Sequence, residues 1–140
     1  MADKTSSAHQ FISALPHAKA LGMELLSMEE GDVSIAMPYA DHLVGDPRTG
    51  VVHGGAVSAL MDTSCGAAVM THPDNAGGTA TIDLRIEYLR AATPGQTIIA
   101  KASCYHVTRS VAFVRATAVD EDSENLVATA PGTFTVEART

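Results

Sequence analysis

The sequence predicts an α+β domain in which one antiparallel sheet curls around one buried helix. Three observations carry this. Residues 56–70 are rich in Ala, Leu and Met, lack proline and hold one charge, Asp62, so they read as a helix that is apolar around most of its circumference. Such a helix needs cover on most sides. After it the pattern changes to a period of two: Ala80, Ile82, Leu84, Ile86 and Tyr88 alternate with Thr79, Thr81, Asp83, Arg85 and Glu87, as in a half-buried strand. Strand-like runs at 98–108, 111–119 and 126–136 then follow as a meander, and a sheet wrapped on the helix is the economical packing.

The remaining elements follow from local chemistry. Residues 1–7 are polar and read as a mobile tail before a single domain at 8–140. Residues 11–21 carry Phe11, Ile12, Leu15 and Ala18 at helical spacing, Gly22 stops them, and Pro16 makes the helix short or broken. Residues 23–28 and 33–37 are short strands around a Glu29-Glu30-Gly31-Asp32 turn. Residues 39–49 read as a loop, Pro94-Gly95 and Arg109-Ser110 as turns, and Pro131-Gly132 as a bulge or an edge.

Bulk composition bounds the function. A chain of 140 residues, 46 % apolar, suits one globular domain. A formal net charge of −7 argues against a general nucleic-acid binder, which needs a basic face. Residues 1–10 lack the apolar core of a signal peptide, and no run approaches the ~18 apolar residues of a membrane span. Cys65 and Cys104 have no metal spacing and read as reduced packing residues, which suits a cytoplasmic location. His9, His17, His42, His72 and His106 have no ligand spacing either, so neither a metal nor a cofactor is expected.

The chemistry concentrates in Gly50-Val51-Val52-His53-Gly54-Gly55-Ala56-Val57-Ser58-Ala59-Leu60-Met61-Asp62. Gly54 and Gly55 place bare N–H groups at the positive end of a helix, where a carbonyl oxygen or an anion approaches closely. Asp62 is ionisable where apolar residues would suffice. The two lie eight residues apart, hence about 12 Å along the axis at roughly 1.5 Å per residue, too far for one reacting carbonyl to touch both. Two helices antiparallel across a two-fold axis would bring Gly54 of one beside Asp62 of the other. If both serve one reaction, the active unit is at least a dimer.

These segments, with the later Thr-Ile-Asp-Leu-Arg-Ile-Glu-Tyr-Leu-Arg and Thr-Arg-Ser-Val-Ala-Phe-Val-Arg-Ala, resemble the PaaI-type hotdog-fold acyl-CoA thioesterases over roughly residues 21–136. The resemblance implies a hotdog homodimer, paired again into a tetramer, that hydrolyses acyl-CoA to free acid and CoA. By position, Gly54 would polarise the thioester carbonyl. Asp62 of the other subunit would act as base or nucleophile. His53 would fix the turn or contact the thioester, and Thr81 would stand where relatives place a serine that helps hold the attacking water. Relatives often carry Asn or Gln six residues before the His; here that residue is Pro47.

Bland alternatives stand beside each of these. Asp62 can cap backbone or pair with an arginine, Gly54 and Gly55 can serve close packing, His53 can bond backbone, and Thr81 can be solvated. Coenzyme A carries phosphates, for which Arg85, Arg90, Lys101, Arg109 and Arg115 are the candidate cations, with Arg90 and with Arg109 beside Ser110 preferred, and Gly55 a further substrate contact. The acyl pocket is expected along Ala59, Leu60, Met61 and their neighbours on the helix. Competing functions are a non-catalytic acyl-CoA sensor, disfavoured by the short tail before Phe11, and a hotdog dehydratase or hydratase, which needs a His base beside an acid.

Overall fold

The computed structural model describes residue 10 and residues 12–137. The expected tail at 1–7, and Phe11, lie outside the described residues. The elements run α1 (Pro16–Ala20), β1 (Glu24–Glu29), β2 (Asp32–Met37), β3 (Val44–Asp46), β4 (Val51–Val52), α2 (Gly54–Thr71), β5 (Thr81–Leu84), β6 (Glu87–Tyr88), β7 (Ile98–Val107), β8 (Val111–Val119) and β9 (Ala128–Thr135). The main sheet has the order β1-β2-β7-β8-β9-β5, with β6 also on β9, and the pairings are antiparallel.

Small residues decide how the helix sits. Ala100 and Ala102 on β7, Ala112, Ala116 and Ala118 on β8, and Ala128 and Ala130 on β9 alternate onto the inner face and are buried. Their short side chains let α2 lie close against β7, β8 and β2. Leu60, Met61, Cys65, Ala68 and Val69 point into that interface and are closed to solvent. Burying a side chain the size of Leu60 or Met61 contributes roughly 1.5–3 kcal/mol, and several on one helix face hold it to the sheet.

The expected break is at Leu15: residues 12–14 are helical, Leu15 is extended, and Pro16 opens α1. Proline suits a first helical position, and it forces the preceding Leu15 to an extended ψ of 115°. Helix α2 starts at Gly54, two residues before the expected Ala56, and ends at Thr71 ahead of Pro73. Its C-terminus is tied by the buried Asn75, whose amide donates to the Val69 and Gly77 carbonyls.

Three expectations need correction. The 80–88 strand is split into β5 and β6, and it is mostly exposed: Ile82 is 55 % and Tyr88 50 % open. The alternation is real, but among the described residues these strands form the sheet edge and are paired only with β9. Pro131-Gly132 is neither an edge nor a bulge of its own strand, since β9 lies between β8 and β5. The irregularity is in β5, between Thr81 and Asp83, and the Pro131 carbonyl accepts from Arg85 N–H where β5 gives way to β6. A Cβ on Gly132 would meet the Asp83 carbonyl oxygen at 2.9 Å, which explains the glycine. The 39–49 segment is more ordered than a loop. It holds a 3-10 turn at Asp41–Leu43, and β3 pairs with β4.

Candidate functional site

The helix start is built around His53. This residue is the N-cap of α2, and its Nδ1 accepts the Gly55 N–H at 2.8 Å. An acceptor at Nδ1 puts the proton of the neutral ring on Nε2. The ring sits so close that a Cβ on Gly55 would lie 2.8 Å from Nδ1, so glycine is needed for space. His53 is held from behind by its own N–H on the Leu43 carbonyl at 2.7 Å and by Gly45 against its Cα. Ala56 N–H returns to the His53 carbonyl at 2.9 Å. The Gly54 N–H is then the first donor of the helix without an acceptor among the described residues, and it is exposed. Beside it lies a cavity of about 360 Å³ walled by Val51, Val52, Val57, Tyr88, Leu89 and Val127.

Asp62 stands two turns along the same helix, half-buried. Its Oδ1 accepts the Thr81 hydroxyl at 2.7 Å. The ion pairs among the described residues are Arg48–Asp46, Arg85–Glu87 and Arg90–Asp120, so no cation neutralises Asp62 there. The pair stands between two clefts. One, of about 530 Å³, is lined by His17, Gly55, Ser58, Ala59, Ile82 and Leu84; the other, of about 200 Å³, by Leu15, Gly66, Met70 and Phe134. A carboxylate in this setting keeps acceptor positions open to whatever enters the cleft. One turn further, burial pushes the Cys65 thiol up to about 12, with Asp62 adding to the effect, and burial pushes Cys104 up to about 11. Both cysteines are free, buried and held as unreactive thiols.

The structure thus brings the sequence-derived residues into two groups on one chain: His53, Gly54 and Gly55 at the helix tip, and Asp62 with Thr81 eight residues on. Gly55 is ambiguous as a ligand donor because its N–H is engaged by His53, yet it lines the Asp62 cleft. Among the described residues no metal-binding cluster of His, Cys, Asp and Glu occurs, and no helix is long and apolar enough to cross a membrane.

Several expected ligand contacts change character or lie elsewhere. Arg90 lines the Gly54 cavity, and its charge is already engaged. Its guanidinium grips Asp120 at 2.8 and 2.6 Å and also donates to the carbonyls of Asn125, Ala91 and Asp122. Leu60 and Met61 face the sheet and are closed to solvent, so of the expected acyl-pocket residues Ala59 lines a cleft, with its neighbours Ser58 and Asp62. Arg109 and Ser110 are exposed in the β7–β8 hairpin and line neither the Gly54 cavity nor the Asp62 clefts. Pro47 sits exposed between β3 and β4 and lines none of these openings. Two residues at the site have no sequence signal. His17 reaches the Asp62 cleft from α1, and Tyr88 donates its hydroxyl to the Gly54 carbonyl at 2.8 Å.

The comparisons with known proteins agree with this architecture. Residues 49–127, more than half of the chain, match the family model described as the thioesterase superfamily. A Halobacterium salinarum protein named among the esterases is 36 % identical over 94 residues, which cover 65 % of this chain and 61 % of that protein. The Escherichia coli medium/long-chain acyl-CoA thioesterase YigI is 27 % identical over 90 % of this chain and 88 % of its own. The Escherichia coli acyl-coenzyme A thioesterase PaaI is 29 % identical over 71 % of this chain and 68 % of its own. A Pseudomonas aeruginosa crystal structure superposes with a TM-score of 0.83 at 36 % identity, covering 94 % of this chain and 98 % of that one. The chain belongs to the thioesterase superfamily, with the hotdog arrangement of an antiparallel sheet on a central helix, a family of thioester hydrolases.

Proposed function

We propose that this protein is an acyl-CoA thioesterase whose active unit is a homodimer, with Gly54 of one subunit and Asp62 of the other acting on one thioester. The observation that carries this is the Asp62–Thr81 pair at 2.7 Å, a carboxylate oriented by a hydroxyl and unpaired with any cation among the described residues, in an open cleft. The relatives named as acyl-CoA thioesterases supply the substrate class.

In the reaction the thioester carbonyl oxygen gathers negative charge as its carbon becomes tetrahedral, and the Gly54 N–H stabilises it at the positive end of α2. Asp62, oriented by Thr81, either takes the proton from an attacking water or attacks the carbonyl itself to form a mixed anhydride that water then opens. The C–S bond breaks, the CoA thiolate departs and is protonated, and the free acid remains. His53 holds the tip. With Nδ1 engaged by Gly55 it is not the exposed base a dehydratase needs. Arg109, exposed beside Ser110, is the guanidinium we assign to the CoA phosphates.

The sheet edge supports the dimer. Thr81 beside Asp62 and Tyr88 beside Gly54 lie near opposite ends of the one β5–β6 edge. Antiparallel pairing of that edge with its copy would exchange the ends, so that Asp62 of one subunit meets Gly54 of the other. It would also cover Ile82, Tyr88 and Leu89, each at least half exposed in the single chain. We further propose that two such dimers pair, and that the protein works in the cytoplasm. The test is thiol release from a panel of acyl-CoA substrates by wild type and Asp62→Ala. Turnover of at least one substrate, nearly abolished in the variant with binding retained, is expected. Binding without turnover in wild type would point instead to an acyl-CoA sensor.

A further inference from the structure

A helix that starts on two glycines starts loosely. Each glycine costs roughly 1 kcal/mol of helical preference against alanine, and the first N–H groups of a helix have no preceding turn to bond to. An oxyanion donor has to be held rigidly to act. The Gly54–Gly55 peptide therefore needs support from outside the helix, and two side chains provide it. On one side Gly55 N–H donates to His53 Nδ1 at 2.8 Å. On the other, Tyr88 donates its hydroxyl to the Gly54 carbonyl at 2.8 Å. Both bonds involve the same peptide plane, so Tyr88 O–H, the Gly54–Gly55 amide and the His53 ring form one continuous hydrogen-bond chain, in which each link polarises the next. The Tyr88 ring also packs on Gly54, whose Cβ would lie 3.5 Å from the ring.

Tyr88 is itself anchored. It is registered with Ala128, and Leu89 N–H donates to the Val127 carbonyl at 2.8 Å. Next to it, Arg90 is clamped to Asp120, whose side chain is closed to solvent. The edge strand thus carries a rigid hydroxyl to a helix tip that is otherwise held by one neighbouring residue.

We propose that Tyr88 is a positioning residue: its hydroxyl fixes the Gly54–Gly55 turn so that the Gly54 N–H is aimed at the thioester carbonyl oxygen. This rests on the oxyanion role given to Gly54 above. The test compares Tyr88→Phe with Tyr39→Phe, because Tyr39 makes a similar bond to the Gly50 carbonyl at 2.7 Å and has no link to the Gly54 peptide. For Tyr88→Phe, kcat on the best acyl-CoA falls about five- to tenfold, the worth of one oriented hydrogen bond, while KM stays within about twofold. For Tyr39→Phe, kcat holds at a comparable loss of thermal stability. An unchanged kcat in Tyr88→Phe, or equal losses in the two variants, would overturn the proposal. A second readout does not depend on turnover. In amide NMR spectra, adding acyl-CoA shifts the Gly54 resonance in wild type and shifts it much less in Tyr88→Phe. Equal shifts in both proteins would also overturn it. Absence of turnover in wild type itself would count against the thioesterase reading and leave the NMR comparison to judge Tyr88.

Discussion

Asp62 and Asp120 are both acids withdrawn from solvent, Asp62 in part and Asp120 almost wholly, and the structure treats them in opposite ways. Asp120 is closed to solvent and fully engaged: Arg90 grips both its oxygens, and Thr93 and Asp122 add backbone N–H bonds at 2.9 and 3.0 Å. The Arg90 guanidinium, assisted by these amides, holds its carboxyl well below the usual carboxylate range. Asp62 has the Thr81 hydroxyl and stands between open clefts. A carboxylate whose acceptors are all taken can only hold structure together. One with acceptors in reserve, facing a cleft, can handle a proton or attack a carbonyl.

Exchanging the two acids sharpens this contrast. In Asp62→Asn, kcat for acyl-CoA hydrolysis falls roughly 10²–10⁴-fold, the usual worth of a general acid–base group, and the unfolding midpoint stays near that of wild type. In Asp120→Ala the order reverses. Removing one partner of this enclosed pair costs about 3 kcal/mol, or roughly 10 °C in thermal midpoint for a chain of this size, while kcat of the folded fraction falls far less. Similar losses of kcat in the two variants, measured by thiol release beside thermal melts, would abolish the distinction.

Acid separates them further. The folded value of Asp120 is depressed below 3.8, so its stabilisation is fully present above the ordinary carboxylate value and is lost as pH falls through the folded one. Chemical unfolding of wild type and Asp120→Asn from neutral pH down to pH ~3 should show a stability gap that persists to about pH 4 and narrows only below it. A gap that closes well above that pH would mean that Arg90 does not govern Asp120.

How much of this contrast the sequence carried depends on the range of the physics. The helix, its N-terminal glycines and the lone acid are local facts of periodicity and composition, and they were legible. So was the alternation of β7 and β8, whose inner residues are buried as the pattern requires. Exposure of Ile82 and Tyr88 was not legible, because period two marks a pleated strand and says nothing of whether another strand lies beside it. Pro131 misled for the same reason: proline marks a missing N–H, and the neighbouring strand absorbed it. Arg90 and Asp120 are thirty residues apart, so no spacing could reveal that the expected phosphate ligand is tied to a structural acid. Leu60 and Met61 look like pocket residues only until the sheet's position fixes which helix face is inside.

The mildest test bears on the side-chain hydrogen bond that Asp62 makes with Thr81. Thr81 reaches it from β5, just before the irregularity that separates Thr81 from Asp83 in the ladder. Thr81→Val keeps the shape and removes the donor, and one neutral hydrogen bond to an ionised carboxylate is worth about 1–2 kcal/mol, so kcat should fall roughly five- to thirtyfold. Thr81→Ser retains the hydroxyl and should restore activity to within about threefold of wild type, the remaining loss reflecting the freer rotation of a serine side chain. If the valine variant turned over substrate as fast as wild type, Asp62 would need no orienting donor, and the difference between the two acids would lie in the cation and the backbone amides that engage Asp120.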